Sequence, residues 1–392
     1  MKLGRDWWIV IGLALGVTIS NAFARFAYGL ILPAMQSDLG WTYTQSGWIN
    51  TANALGYIGG AVLTFAAIGR VPAKWLFSVG LVVTSVSLLM CGFGDGFWYL
   101  TFWRILAGVA GAPVFIAGGT MAASLFRDDA RRNALAIAGY FGGAGLGMIL
   151  SGAILPGLFA RHGALFWPEA WIGLGVASLV LAPVSIWAAG QTDLSQGTGQ
   201  ADGTLPVAKM GFALLGYGLF AMGYIVYLTF IVASVREAGQ SAATISGGWV
   251  IIGIGIILSP FLWRPVLARW ASGVPLALAC AVTGIATLLP WVVPGVLGFA
   301  LSALLFGLAV FIGPGAVTSF GRKNLPQALW GKSVSLFTLI FAIGQTVGPV
   351  AAGVIADVTG TVDTGVIVAG GILLCAAALA ALQRPISQAI QC

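Results

Sequence analysis

Long apolar segments, separated by short polar or charged breaks, follow one another through nearly the whole chain. Most have about 20 residues or more, the length that an α-helix needs to cross the hydrocarbon core of a bilayer. The shorter alternating pattern of an outer-membrane β-barrel is absent from the sequence. The segments therefore predict an all-α integral membrane protein whose surroundings are the lipid bilayer.

The charge content leads to the same conclusion. Only 7% of the 392 residues are charged, whereas a soluble domain has about 25%. A chain so poor in charge could not cover a water-facing surface of this size. The net charge of +7 would suggest a nucleic-acid partner in a soluble protein. Here the basic residues cluster in short loops, so we expect none.

The first 24 residues resemble a secretory signal peptide. Lys2 and Arg5 precede an apolar core, and Ala22-Phe23-Ala24 resembles a cleavage site. The apolar run nevertheless continues through residues 26–32. We therefore expect the segment to be retained as the first membrane span, which makes Arg25 an intramembrane charge.

Twelve spans can be counted between the breaks. The boundary between the ninth and the tenth depends on Pro290 and Pro294 alone. The predicted spans are residues 7–33, 44–68, 75–94, 97–125, 134–158, 167–188, 209–235, 243–263, 273–293, 296–320, 332–356 and 361–382.

A polar, glycine-rich stretch interrupts the series after the sixth span. It reads GQTDLSQGTGQADGTLP at residues 190–206 and is typical of a flexible linker. We predict an N-terminal six-helix bundle at residues 1–189, called the N-half. A cytoplasmic linker at 190–208 leads to a C-terminal six-helix bundle at 209–392, called the C-half.

The loops differ in their basic residues, which favour the cytoplasmic side of a membrane. With the N-terminus in the cytoplasm, the predicted outer loops hold only Arg161 and Arg236. The other loop Lys and Arg residues then fall on the cytoplasmic side. We predict that both termini are cytoplasmic and that the membrane is a bacterial inner membrane.

Two glycine-rich segments suggest that the halves are a repeat. GGAGLGMILSG (142–152) in the fifth span and IGQTVGPVAAG (343–353) in the eleventh have three glycines at a constant separation of 201 residues. Small residues at such spacing let helices approach closely. General glycine enrichment, with 57 glycines in the chain, is the alternative explanation. The glycine pairs are Gly143 with Gly344, Gly147 with Gly348, and Gly152 with Gly353.

Several motifs resemble those of the major facilitator superfamily. RILAGVAGAP (104–113) is similar to its fourth-helix motif, and GQTVGPVAAG (344–353) to its Gly-Pro motif. GRVPAK (69–74) and LARWASG (267–273) lie where the basic loops of the family fall. The usual aspartate is absent from both loops, and Ala268 stands in its place in the second.

This resemblance implies a secondary transporter in which two six-helix bundles rock about a central site near the bilayer midplane. It assigns packing or gating roles to a group of small residues and one proline. These are Gly108, Gly143, Gly147, Gly344, Gly348 and Pro349.

Arg25 and Arg104 are the two basic residues inside predicted spans. Arg25 lies 8 residues before Pro33, the predicted outer end of span 1, which puts it about 12 Å below that end. Arg104 lies 7 residues after Phe97, about 10 Å below the outer end of span 4. An arginine at the centre of a span costs about 2.5–3.5 kcal/mol to insert, so something must offset the charge.

No span has an interior Asp or Glu, so neither arginine has an obvious carboxylate partner. Backbone carbonyls and a transported anion are the remaining partners. For Arg104, a structural bond to the backbone of helix 1 and direct substrate contact are both open. For Arg25, an anion site and extension of the side chain to the outer headgroups are both open. An anion site for Arg25 implies bidentate recognition of a carboxylate.

Polar and aromatic residues within the spans are candidates for the rest of a substrate site. Asn53 and Tyr57 fall near one face of span 2, and Tyr224 and Tyr227 near one face of span 7. An ordinary helix–helix hydrogen bond is the alternative for each. The full predicted site is Arg25, Arg104, Tyr28, Asn21, Asn53, Tyr57, Tyr224, Tyr227, Gln345 and Trp249.

The sequence thus predicts transport of a small organic anion, a carboxylate being the expected group, with a proton or an exchanged co-substrate as an open partner. Efflux of amphipathic or aromatic compounds is the alternative, and a sensor without transport is a third hypothesis. No nucleophile–base pair, phosphate-binding loop or cluster of metal ligands appears in the sequence. We therefore expect no enzyme activity, no cofactor and no metal.

Overall fold

A computed structural model of the chain describes residues 4–67, 70–192 and 204–386. Within these ranges the chain is helical and has no β-strand. Residues 193–203, the centre of the predicted linker, lie outside the described residues, as do Lys2 and the C-terminal residues 387–392. The division into two bundles at the linker therefore stays a prediction.

Twelve long helical segments, named α1 to α12, make up the described ranges, with short 3₁₀ turns before α6, α7 and α11. Segments α1 and α10 each contain an interruption, at residues 18–27 and at Phe311 respectively. The bounds are α1 Arg5–Leu39, α2 Tyr43–Ala67, α3 Ala73–Met90, α4 Phe97–Ser124, α5 Ala130–His162, α6 Trp167–Gly190, α7 Gly211–Glu237, α8 Ala242–Arg269, α9 Val274–Val292, α10 Val296–Asn324, α11 Trp330–Thr359 and α12 Val362–Ala381.

The all-α membrane architecture predicted from the sequence is confirmed. Eleven of the twelve described segments are long and apolar enough to cross a membrane. The remaining one, α2, is 25 residues long. Asn50 and Asn53 lower its hydropathy, and both are almost completely buried against other helices. Its polar groups face protein, so α2 still fits a membrane setting.

The first helix differs from its prediction. It continues past Pro33 to Leu39, which lies 14 residues after Arg25. At 1.5 Å per residue this puts Arg25 about 21 Å from the outer end of the helix rather than about 12 Å. Pro33 lies inside the segment that restarts at Tyr28 and does not end it. The greater depth disfavours extension of the Arg25 side chain to the outer headgroups.

A π-helical segment, Thr18–Phe26, interrupts α1 and carries Arg25. In a π-helix each N–H bonds the carbonyl five residues earlier, so the face of the helix shifts by one residue. Such segments occur often at functional sites. The interruption turns the side chains after Thr18 by a different angle from the one that a regular helix would give.

The repeated glycines have matching positions in the two halves. A Cβ at Gly143 of α5 would lie 2.0 Å from the carbonyl oxygen of Ala14 on α1. A Cβ at Gly344 of α11 would lie 2.2 Å from the carbonyl oxygen of Gly218 on α7. Gly147 and Gly348 make the next contact on the same helix pairs, and Gly108 packs α4 against Asn53 of α2.

The halves meet closely at the predicted outer side. The backbone N–H groups of Tyr43 and Thr44, which begin α2, donate to the carboxylate of Asp357 near the end of α11, at 2.8 and 2.9 Å. A Cβ at Gly47 would lie 2.3 Å from the carbonyl oxygen of Pro349. Thr51 donates to the carbonyl of Thr346 one turn deeper. These contacts close the α2–α11 seam from that side.

Candidate substrate site between the two halves

Arg25 lies beside the interface of the halves and has no hydrogen-bond or ion-pair partner among the described residues. Its side chain is only 7% exposed, and its Nε is buried and unbonded. None of the described residues forms an ion pair or a hydrogen bond with its guanidinium group. The guanidinium carbon lies 5.7 Å from the ring centroid of Tyr57 on α2, within cation–π distance.

Polar groups with no protein partner surround this charge. Asn21 lies one π-helical turn before Arg25, and its buried side-chain amide has no bond to the described residues. The hydroxyl groups of Tyr57 and of Tyr224, which belongs to the C-half, also have no hydrogen bond to the described residues. The group therefore has one cation and several hydrogen-bonding groups that are open to a ligand.

Aromatic rings form the C-half side of the site. Phe341 of α11 stacks on Tyr217 and Tyr224 of α7, with ring centroids 4.9 and 5.5 Å away and interplanar angles of 22° and 16°. Phe220 continues the stack at 5.5 Å from Tyr224. We call Tyr217, Phe220, Tyr224 and Phe341 the aromatic stack.

The N-half contributes a second group of rings. Tyr57 contacts Phe115 of α4, with ring centroids 6.4 Å apart, and Phe115 contacts Phe141 of α5 at 5.2 Å. Phe115, Phe141 and Tyr57 are only partly buried, although they lie in the middle parts of their helices. Tyr57 thus joins this group of rings to Arg25.

Arg104 has a different environment. Its Nη1 donates a hydrogen bond to the carbonyl oxygen of Ala24, the residue before Arg25. Its guanidinium carbon lies 5.3 Å from the ring centroid of Tyr28 and 5.2 Å from that of Trp171. The side chain is 1% exposed. Of the two roles left open by the sequence, these contacts favour the structural one.

Three more of the predicted site residues lie inside one half. The hydroxyl of Tyr28 donates to the carbonyl of Ser46 at 2.7 Å. The amide of Asn53 donates to the carbonyl of Arg104 at 3.1 Å. Tyr227 bonds Ser302 at 2.8 Å. We leave these three residues out of the proposed site because their polar groups are bonded within the fold. Arg104 is left out because its Nη1 bonds the backbone of α1 and two rings enclose it, although its Nε and Nη2 are buried without a hydrogen-bond partner.

Tyr227 and Tyr224 were expected near one face of a helix. Tyr227 instead stacks on Phe306 of α10 with ring centroids 4.0 Å apart, whereas Tyr224 belongs to the aromatic stack. A separation of three residues rotates a helix position by about 60°, which is enough to send the second ring towards another neighbour.

The other two predicted residues lie near the interface of the halves. Gln345 is one helical turn after Phe341, and its amide has no bond to the described residues. Trp249 of α8 packs against Gly152 of α5 and Gly29 of α1, and its indole N–H is buried and unbonded. Gln345 stays in the proposed site, and Trp249 borders it on the outer side.

Sequence reasoning missed Phe341, Phe220 and Phe115. The chain has 22 phenylalanines, and ring spacing alone does not separate those at the interface from those facing lipid. A weak signal existed for Phe341, which precedes the polar Gln345 by four residues and so shares its helix face.

Comparison with known proteins identifies the family. A family model described as "Uncharacterised MFS-type transporter YbfB" matches residues 13–381. The chain belongs to this transporter family of the major facilitator superfamily. The resemblance predicted from its motifs is thereby confirmed, and the protein is a multi-pass membrane transporter.

Solved structures share the fold of this transporter at low sequence identity. A bacterial homologue of the human lysosomal transporter Spinster, inward-facing and occupied, has a TM-score of 0.73 and 15% identity, and the match covers 98% of this chain and 97% of that one. The nucleoside transporter NupG has a TM-score of 0.71 and 13% identity, covering 97% of this chain and all of that one. At these identities the likeness concerns the fold alone.

Two curated relatives are transporters of named substrates. A gallate transporter of Pseudomonas putida is 24% identical over 182 residues, or 46% of this chain. The 4-hydroxybenzoate transporter PcaK of Acinetobacter baylyi is 27% identical over 185 residues, also 46% of this chain. Each alignment spans 39% of the relative, so well under half of each relative is matched.

Proposed function

We propose that this transporter carries a small organic anion across the bacterial inner membrane, and that Arg25 binds the carboxylate of the substrate. The two six-helix halves, residues 1–189 and 209–392, rock about the site between them. Both termini and the linker at 190–208 lie on the cytoplasmic side. The observation that carries the proposal is the buried guanidinium group of Arg25, which has no hydrogen-bond or ion-pair partner among the described residues.

An unpartnered charge in this position is unfavourable for the empty protein. Burial of a charge without a counter-charge is strongly disfavoured, and no carboxylate lies in the middle of any predicted span. A carboxylate that enters the site offsets this penalty through charge-assisted hydrogen bonds to the fork of the guanidinium group. The charge therefore favours the loaded state over the empty one.

The relatives support the chemical class. Gallate and 4-hydroxybenzoate, the substrates in the names of two relatives, each have a carboxylate. An anion that moves inward against an inside-negative potential needs a co-transported cation or an exchanged anion. We therefore propose that a proton or an exchange partner accompanies the substrate.

Binding by the purified full chain tests this function. Benzoate, succinate, benzenesulfonate, benzyl alcohol and a cationic amphiphile would be added to wild type and to Arg25→Gln in detergent. A thermal shift with the acids that is lost in Arg25→Gln is expected. Anion binding that is unchanged in Arg25→Gln would refute the role of Arg25, and an absence of anion binding would refute the function.

Efflux of amphipathic or aromatic compounds is the second candidate, because the aromatic stack offers such compounds a ring surface. A neutral or cationic aromatic compound would then stabilise wild type and Arg25→Gln equally. Expression of either protein in a sensitive host would raise its resistance to such a compound by the same factor. That pair of results would replace the anion proposal.

A further inference from the structure

We infer that the substrate of this site is a planar aromatic acid whose two recognition groups are divided between the halves. Arg25 and Asn21 of the N-half bind its carboxylate, and the aromatic stack of the C-half binds its ring. An acid without the ring binds the N-half and is not carried. This inference rests on the proposed function and names its substrate class and the condition for transport.

The charge at the site comes from one half only. Arg25 and Arg104 are both N-half residues, and Arg104 is bonded to Ala24 and enclosed by Tyr28 and Trp171. The C-half residues of the proposed site are the aromatic stack and the neutral Gln345. A carboxylate therefore has its cation on the N-half alone.

The ring surface, in contrast, is best ordered on the C-half. The four rings of the aromatic stack are nearly parallel, with interplanar angles of 8° to 22° between the contacting pairs. Phe341 contacts Tyr217 and Tyr224 and remains only partly buried. An aromatic ligand can extend such a stack on its open side, where offset stacking is favourable.

The two sets of rings lie on neighbouring helices without touching. Among ring pairs of the described residues, only Phe26 and Phe311 make a contact between the halves, with ring centroids 6.1 Å apart. Asn50 of α2, seven residues before Tyr57, donates to Thr229 of α7, five residues after Tyr224, so Tyr57 and Tyr224 lie at similar depth on adjacent helices. The ring of the substrate is placed between these two sets, with a face towards each half.

Because the two recognition groups belong to different halves, a substrate that contacts both can change how the halves close. A ligand shifts the balance between two conformations only if it interacts differently with them. An aromatic acid joins the halves by contacts to Arg25 and to the aromatic stack, so it favours the state in which both close around it. An aliphatic acid engages Arg25 but cannot stack on the rings of the C-half, so it binds without driving closure.

Benzoate and cyclohexanecarboxylate form a matched pair of probes, since they share a carboxylate and a six-membered ring and differ in planarity and aromaticity. Equilibrium binding and exchange in proteoliposomes would be measured with the full chain. We expect benzoate to bind about fivefold to tenfold more tightly. Benzoate alone should exchange, and cyclohexanecarboxylate should inhibit that exchange.

Phe341→Leu removes the aromatic face and keeps an apolar side chain. It should bring the affinity for benzoate down to that for cyclohexanecarboxylate and abolish benzoate exchange, while cyclohexanecarboxylate binding stays unchanged. Phe261→Leu on α8 is the matched control, because Phe261 is 56% exposed on the outside of the bundle. It should behave like wild type in every measurement.

The outcomes separate the two proposals. Equal exchange of benzoate and cyclohexanecarboxylate by wild type, with both lost in Arg25→Gln, would overturn the divided site and leave the anion function standing. Unchanged benzoate affinity and exchange in Phe341→Leu would also overturn it. Failure of wild type to bind either acid would refute the anion function itself. The comparison of the two acids needs wild type only, so it stands even if Phe341→Leu does not fold.

Discussion

The two intramembrane arginines differ in how much the fold bonds them. Arg104 donates one hydrogen bond to the backbone of Ala24 and lies against Tyr28 and Trp171, while its Nε and Nη2 are buried without a hydrogen-bond partner. Arg25 has no hydrogen bond to any described residue and has the ring of Tyr57 as its cation–π contact. Both are buried in apolar helices, so burial alone does not distinguish them. The difference shows that the role of a membrane arginine depends on how many of its partners the fold supplies.

The two residues are also connected. Arg104 bonds the carbonyl of Ala24, which lies in the π-helical segment Thr18–Phe26 and immediately precedes Arg25. A π-helical segment leaves backbone groups out of the regular bonding pattern, and a side-chain donor can satisfy one of them. The partnered arginine therefore supports the segment that presents the unpartnered one.

The largest effect is expected for Arg104→Ala. The change leaves the carbonyl of Ala24 without its donor and opens a cavity between Tyr28 and Trp171, so the free energy of unfolding should fall by about 3–5 kcal/mol. The thermal midpoint in detergent measures the loss. Wild-type stability in Arg104→Ala would break the comparison, because Arg104 would then have no structural role.

A smaller effect of opposite sign is expected for Arg25→Gln without ligand. Glutamine keeps polarity and removes the uncompensated charge, so the ligand-free protein should become more stable by about 1–2 kcal/mol. The thermal midpoints of wild type and variant without any organic anion in the buffer check this. A lower midpoint in the variant would mean that Arg25 stabilises the fold as Arg104 does.

The smallest effects are expected at Tyr57, whose ring lies 5.7 Å from the guanidinium carbon of Arg25. Tyr57→Leu removes the cation–π contact and should reduce anion affinity by about 0.5–1 kcal/mol. Tyr57→Phe keeps the ring and should lose less than half of that. An equal loss in Tyr57→Phe and Tyr57→Leu would show that the hydroxyl, which both variants lack, serves the ligand rather than the ring.

Helix positions were largely predictable because hydropathy is a local property. The predicted start at Phe97 coincides with the start of α4, and the break after Pro290 falls at residues 293–295. The end of the first span was wrong, since Pro33 was taken as a terminus. A proline inside a helix is generally unfavourable, which favoured an end at Pro33, whereas the helix continues through it to Leu39.

Site residues were less predictable, because a helix position alone does not say which neighbour a side chain meets. Tyr28 and Tyr227 have the residue type expected of a substrate site, but their hydroxyls bond Ser46 and Ser302. Phe341 has no polar group and was missed, although it contacts two tyrosines of the aromatic stack.

The sequence by itself determined that this chain forms membrane helices, that its basic loops alternate, and that two arginines are embedded without acidic partners. These features depend on composition and on distance along the chain, which hydropathy and charge express directly. Only the tertiary structure decided which arginine donates a hydrogen bond to the fold and which donates none. That choice depends on the π-helical turn at Thr18–Phe26 and on the packing of Tyr28, Trp171 and Tyr57. The rotation of a helix and the contacts of its neighbours arise only when the helices assemble.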